Sequence, residues 1–394
     1  MKILIFNSLY SPNIVGGAEK STQLLAEGLK TKGWQPVIVT TADHKETGEV
    51  NGIKVYYLKT PNLYWICDAK KQPAYKKPIW HIIDAYNPFI KKSLTQIIEK
   101  EKPAVIHTNN LTGISVAIWK IAQENKIPIV HTIRDHYLLC PKTTMYKNNK
   151  NCKHQCWDCK LLSMPKKKLS DKINVVGISK FILDKHLKFG YFNHANIKTY
   201  IYNPINNIKK IQLWQNQENN VFTFGYIGLL APSKGIEYLL RHFIQMDLKK
   251  ARLMIFGRGI TPTYEKHLKD HYQKDNIIFM GFKRTEEIYP LLDVVVVPSL
   301  WEEPFGRIVP EAYVYGIPVI VSKRGGLPEI VDEGITGYIF NPDQENDFEE
   351  KLKLFLEDKE LLNRLSKNCL EKAQEFRVDM VVEKYIDVYK QVVK

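Results

Sequence analysis

Short runs of β-branched and aromatic residues, bounded by Gly, Pro and Asn, alternate along this chain with longer stretches whose apolar residues recur every three or four positions. In the first half the runs are KILIFN (2–7), QPVIVTT (35–41), IKVYYL (53–58), PAVIHT (103–108), IPIVHTI (127–133) and NVVGIS (174–179). A second series begins after residue 220 with FTFGYIG, RLMIFG, NIIFMGF, VVVVPS, PVIVSK and GYIF. Apolar strands alternating with amphipathic helices predict α/β architecture with parallel sheets and crossover helices. Between the two series lie Asn203-Pro204 and the polar stretch INNIKKIQLWQNQENN, which reads as a linker near residues 205 to 220. Two Rossmann-like domains follow, 1–205 and 206–377. From Asp343 the chain is polar and helix-periodic, with Phe348, Leu352, Phe355 and Leu356 on one face, and MVVEKYIDVYKQVV closes it. Two closing helices are expected, the last over about 378–394 and able to pack back on the first domain. Open α/β sheets bind ligands outside the carboxyl ends of their strands, so two such sheets facing each other predict a site in a central cleft.

Length and composition agree with a folded two-domain protein: 394 residues, 44% apolar and 25% charged. The start MKILIFNSLYSP breaks its apolar run at Asn7, too early for a secretion signal, and no stretch approaches the roughly 18 apolar residues of a membrane span. A cytoplasmic protein is the expectation, with any membrane contact peripheral. The net charge of +15 is uneven. Residues 1–200 hold 31 Lys and Arg against 14 Asp and Glu, whereas residues 201–394 hold 26 against 28. A basic first half suits an anionic membrane surface or a lipid diphosphate, and equally describes solvated lysines. Lysines at 70–71, 76–77, 91–92 and 166–168, interleaved with Tyr64, Trp65, Tyr75 and Trp80, favour the headgroup layer at the inner face of the cell membrane. No nucleic-acid recognition pattern is present, so no nucleic-acid partner is expected.

The densest chemistry lies in WEEPFGRIVPEAYVYGIPVIVSKRGGLPEIV, residues 301–331. Glu303 and Glu311 have seven residues between them, including the turn Pro304-Phe305-Gly306, and a helix opens near Arg307. Pro310 fits the first turn of that helix, where its missing N–H removes nothing. Free N–H groups at a helix start attract a diphosphate, and two carboxylates beside it can accept hydrogen bonds from sugar and ribose hydroxyls. Spacing alone would equally describe two surface glutamates.

With the following strand and the GGLPEIV turn, this stretch resembles the E-x7-E motif of family 4 retaining glycosyltransferases, of GT-B architecture, and the likeness covers nearly the whole chain. It implies a nucleotide-sugar donor domain at 206–377 and an acceptor domain at 1–205. Glu303 would hold the transferred sugar, Glu311 the ribose, and the Phe305 and Gly306 backbone would line the sugar pocket beside Arg307. In GLLAPSKGIEYLL (228–240), Lys234 would neutralise the leaving diphosphate. Relatives carry arginine where this chain has Leu229, and Arg258 of IFGRGI is the candidate substitute, ordinary surface cations being the alternative for both. Gly16 and Gly17 resemble the family's GG-x-E loop and would approach the donor at a helix start. Asn109 replaces a frequent second histidine, and Arg134-Asp135 a His-Asp pair; these three would face sugar and acceptor, with Asp135 joining Lys234 and Glu303 as a catalytic residue. Arg134 suits an acceptor bearing phosphate or carboxylate, unless it pairs with Asp135. Histidines 107, 131 and 136 read as structural.

The resemblance thus implies transfer from a UDP- or GDP-sugar to a lipid-linked or other glycan acceptor in surface-polysaccharide assembly. No cofactor is expected for catalysis, since Lys234 serves the diphosphate and no Asp-x-Asp occurs. The alternatives are a non-catalytic glycosyltransferase-like binding subunit and a nucleotide-sugar epimerase. Finally, Cys140, Cys152, Cys156 and Cys159 fall within twenty residues, the last two as C-x2-C. They read either as a structural zinc site, with His154 able to replace one thiolate, or as a reduced thiol cluster.

Overall fold

A computed structural model describes residues 1–206, 221–248 and 250–393, so the expected linker lies, beyond Asn206, outside the described residues. The chain divides into two units: Met1–Met145 with Cys152–Asn206 and Val378–Lys394, and Tyr146–Asn151 with Asn207–Arg377.

The strands up to residue 206 are β1 Lys2–Phe6, β2 Gln35–Ala42, β3 Glu46–Val50, β4 Ile53–Lys59, β5 Val105–Thr108, β6 Ile129–Ile133, the hairpin β7 Tyr146–Lys147 and β8 Lys150–Asn151, β9 Asn174–Gly177 and β10 Lys198–Tyr200. All but the hairpin form one sheet in the order β10-β9-β6-β5-β1-β2-β4-β3, parallel except for β3. The apolar runs mark the buried strands, and Ile3, Leu4, Ile5 and Phe6 of β1 are wholly buried. Strand β3 is ETGEV, a largely exposed edge with Val50 as its one apolar side chain and no apolar run to announce it. The order turns about β1, which lies between β5 and β2, so the loop leaving its carboxyl end occupies a topological switch point. That loop runs to Gly16 and the helix Gly17–Thr31.

The second sheet contains β11 Phe222–Ile227, β12 Ala251–Phe256, β13 Ile277–Gly281, β14 Val294–Val297, β15 Val319–Ser322 and β16 Gly337–Phe340, ordered β13-β12-β11-β14-β15-β16. Every pairing is parallel. Here β11 is the switch strand, and the segment leaving it is Gly228–Lys234.

Three closing helices form, Asp347–Glu357, Lys359–Ala373 and Val378–Val393, where two were expected. The extra break is Asp358, whose extended backbone ends one helix while its carboxylate accepts the N–H groups of Glu360 and Leu361 to start the next. The last helix belongs to the first unit and buries Val381, Val382 and Ile386. Each such side chain contributes roughly 1.5–3 kcal/mol by area removed from water. Tyr389 bonds His107 Nδ1 at 2.7 Å and Tyr385 bonds Thr132 at 3.1 Å, while His107 Nε2 meets Thr132 and His131 meets Thr108. Burial holds both imidazoles neutral, as hydrogen-bonded core residues.

Candidate active site

The loop after β11 closes with the single turn Pro232–Lys234 and then Gly235, whose φ is 71°. A Cβ at Gly235 would lie 1.8 Å from the Pro298 carbonyl oxygen, so only glycine lets this turn press onto the exit of β14. The contact is locked by the Ser233 carbonyl, which accepts the N–H groups of Leu300 and Trp301 at 3.0 Å each. Lys234 is thereby aimed across the β14 loop, and its Nζ meets Glu303 Oε1 at 2.5 Å. Ser299 Oγ donates to the same oxygen at 3.1 Å, and the ammonium lies 4.7 Å from the Trp301 ring centroid. Glu303 is buried, and its main chain rests on the Gly-Gly turn: Gly326 N–H donates to the Glu303 carbonyl at 2.7 Å. A Cβ on Gly325 would lie 2.2 Å from that same oxygen. A buried carboxylate needs a cation and a hydroxyl donor to offset its desolvation, and it has both.

A second acid–base pair stands at the other end of the loop. Arg307 Nε donates to Glu311 Oε1 at 2.8 Å, both side chains being mostly buried. They lie one helical turn apart at the start of the helix Ile308–Val314, with Pro310 in its first turn. Phe305 is buried and packs edge-on against Phe376, so its side chain is core and only its backbone is left to face a ligand. Gly306 takes φ 89°. Arg258 is exposed just beyond β12, its guanidinium over the Phe282 ring at 5.1 Å, while its carbonyl accepts the Leu230 N–H. It therefore stands beside the β11 loop, and Leu229 is exposed there too.

Asn151 had no signal in the sequence. It belongs to the second unit with the hairpin β7–β8, and clamps the loop next to Glu303 at two points. Its Nδ2 donates to the Leu300 carbonyl at 2.8 Å, and its Oδ1 accepts the Glu302 N–H at 2.9 Å. Ser299, two residues before the Glu303 motif, and Trp301, which opens it, were given no role by the sequence.

In the first unit, Gly16 and Gly17 are exposed at a helix start, where the Glu19 carboxylate accepts the Gly16 N–H at 2.7 Å. Arg134, at the end of β6, is buried; it donates through Nε to Asn109 at 2.9 Å and through Nη1 to Asn203 at 2.6 Å. Asp135 accepts from Asn110 at 3.0 Å and from the Tyr137 N–H at 2.7 Å. Loss of surrounding water pushes its carboxyl up to about 6. Behind it lies a cluster that no motif announced. Asp84 accepts from the Gly113 N–H and the Tyr137 hydroxyl, and burial pushes it up to about 6 as well. Lys166 is buried beside both acids, donates to the Tyr137 carbonyl at 2.9 Å, and is pushed down to about 8 by burial.

Comparison with known proteins places these features in a family. Residues 15–206 match the family described as Glycosyltransferase Family 4, and residues 208–372 match Glycosyl transferases group 1. An uncharacterized 42.6 kDa protein in the cps region of Klebsiella pneumoniae is 33% identical, over 99% of this chain and 100% of its own length. Among solved structures, sucrose-phosphate synthase from Thermosynechococcus elongatus superposes with a TM-score of 0.77 at 21% identity, covering 99% of this chain and 98% of its own. Anabaena HepE in complex with UDP and glucose gives 0.71 at 19%, covering 99% and 100%.

Proposed function

The chain belongs to glycosyltransferase family 4, and from this we propose that it transfers a sugar, with retention at the anomeric carbon, from a nucleoside diphosphate sugar to a lipid-linked glycan acceptor. Its two Rossmann-like units are the GT-B architecture. The observation that carries the reading is the Lys234–Glu303 pair beside the carboxyl end of switch strand β11. The bond from the anomeric carbon to the diphosphate breaks, and the acceptor hydroxyl bonds to the same face. The hydroxyl proton passes to a departing phosphate oxygen. Negative charge grows on the diphosphate, where Lys234 neutralises it without a catalytic metal. Arg258 adds a phosphate contact. Glu303 accepts the sugar hydroxyls, the backbone of Phe305 and Gly306 lines their pocket, and Glu311, steadied by Arg307, accepts the ribose hydroxyls. Arg134, held by Asn109, orients an anionic acceptor beside Asp135.

HepE, solved with UDP and glucose, supports a UDP-sugar over a GDP-sugar, and the Klebsiella relative supports surface-polysaccharide assembly. The test is transfer by the purified protein from a panel of nucleotide sugars to lipid extracts, without added divalent metal. A product whose anomeric configuration by NMR matches the donor is expected. An inverted product, an epimerised donor, or binding without turnover would each replace the reading.

The acceptor side is proposed to work at the inner face of the cell membrane. Among the described residues no helix is long and apolar enough to cross a bilayer. Helices Lys76–Ala85 and Trp157–Ser170 pack together and leave Tyr75, Ile79, Ile82, Trp157, Leu161 and Met164 exposed, with Lys77, Lys160, Lys167 and Lys168 also at the surface. The structure corrects the sequence-based patch. Trp80 is buried, stacked on Tyr64 with its N–H on the Tyr64 carbonyl, and Lys166 is buried too. Each surface lysine adds about 1 kcal/mol on anionic lipid, screened by salt. Replacing Lys160, Lys167 and Lys168 by glutamate should abolish co-sedimentation with anionic vesicles. Equal binding to neutral vesicles, or none to either, points to a soluble acceptor.

A further inference from the structure

We propose that Cys140, Cys152, Cys156 and Cys159 bind one zinc ion as a structural tetrathiolate centre at the root of the hairpin Tyr146–Asn151. Two of the sulfurs already meet: Cys159 Sγ lies 3.6 Å from Cys156 Sγ, and Cys140 stands near enough to Cys159 for the two thiols to interact electrostatically. Sulfurs that share a tetrahedral zinc at about 2.3 Å sit about 3.8 Å apart, whereas a disulfide draws them to about 2.05 Å. The observed spacing excludes a disulfide and fits the edge of a tetrahedral thiolate site.

The surroundings of Cys140 suit a thiolate. Cys140 Sγ accepts the backbone N–H groups of Lys142, Thr144 and Met145. The chain reaches this wrapping through left-handed conformations at Thr143 (φ 62°) and Met145 (φ 48°), which non-glycine residues adopt only when anchored. Cys156 is the N-cap of the 14-residue helix Trp157–Ser170 and Cys159 lies in its first turn, so both sulfurs sit at the positive end of a helix. Cys140 and Cys159 are buried. Zinc with four thiolates carries a net charge of about −2, which calls for a nearby cation. Buried Lys166 lies close enough to Cys140 and Cys159 to feel their charge.

The fourth ligand follows from Met145. Its N–H faces the Cys140 sulfur and its carbonyl accepts the Cys152 N–H at 2.7 Å, which brings Cys152 back to the Cys140 turn. The rival is Asp158, whose carboxylate lies within 4.8 Å of Cys156 and Cys159, but zinc held by thiolates prefers a further thiolate to an exposed carboxylate. The centre would fix a long polar loop with little core of its own. Asn151, which clamps the Leu300–Glu302 loop, directly precedes Cys152.

The test is elemental analysis of the full chain purified under reductant without chelator, where about one zinc per chain is expected. Replacement by cobalt should give sulfur-to-metal charge-transfer bands and the intense visible bands of tetrahedral cobalt. Cys140→Ser and Cys159→Ser change buried positions and can simply misfold. Half-buried Cys152→Ser and Cys156→Ser, checked for folding by circular dichroism, are therefore the informative variants, and each should lose the metal. Metal-free protein with all thiols titratable, a disulfide among the four, or metal lost from Asp158→Asn but kept by Cys152→Ser would overturn the assignment.

Discussion

Lys234→Ala is expected to lower kcat about a hundredfold or more, with a much smaller change in donor affinity. The asymmetry follows from charge: the diphosphate is more negative while departing than in the bound donor, so an ammonium beside it acts most strongly in the transition state. The geometry makes removal specific. The same ammonium pairs with Glu303, and Ser299 still donates to that carboxylate after Lys234 is gone. Glu311→Ala should behave in the opposite way. It loses ribose hydrogen bonds and leaves Arg307 without its carboxylate, weakening UDP by about 1.5–3 kcal/mol with turnover at saturation less affected. Steady-state kinetics and titration calorimetry on both variants separate the two roles. A Lys234→Ala enzyme altered only in KM would remove the leaving-group role, and unchanged UDP affinity in Glu311→Ala would remove Glu311 from the donor site.

What the sequence disclosed, and what it hid, follows from how each feature is encoded. Strands β11 to β16 all lie within apolar runs, because parallel strands covered on both faces must be apolar along their length. Strand β3 had no such run, being an edge whose register with β4 is set by a turn rather than by burial. The third closing helix was hidden in one carboxylate, Asp358, acting as a cap inside a periodic stretch. In the candidate site, residues carried by one contiguous motif were legible. Glu303, Glu311 and the Gly-Gly turn all lie between residues 301 and 331. Lys234 came from a second local motif, and the structure brings it to Glu303. Asn151 was illegible because its role is a pairing across about 150 residues, which local spacing does not record. The same blindness hid Lys166, which in sequence is the first of three consecutive lysines and in structure lies on the inner face of its helix.

That burial gives Lys166→Glu the largest expected effect on stability. Lys166 is 3% exposed, and its ammonium lies 3.4 Å from the Tyr137 ring centroid, donates to the Tyr137 carbonyl, and has Asp84 and Asp135 as acidic neighbours. Breaking such a buried arrangement by removing one partner costs about 3–5 kcal/mol, and inserting a third carboxylate adds like-charge repulsion. Lys167→Glu and Lys168→Glu, on the exposed face, should stay within about 0.5 kcal/mol of the parent. The acids add a pH signature. Their carboxyls titrate near 3.8 in the unfolded chain and are raised to about 6 in the fold, so between these values the folded state holds protons that the unfolded state has released. Their contribution to stability is therefore greatest below about pH 4 and is lost as pH rises through about 6, opposite to ordinary acid denaturation. Lys166→Met keeps the stem but removes the charge that favours ionisation, so it should raise both carboxyls further and extend that loss to higher pH. Urea unfolding from pH 4 to 8, read on the parent and the Lys166 and Lys167 variants, measures both effects. Equal stability of Lys166→Glu and Lys167→Glu would mean that the ammonium reaches solvent and that the cluster is not the buried network described.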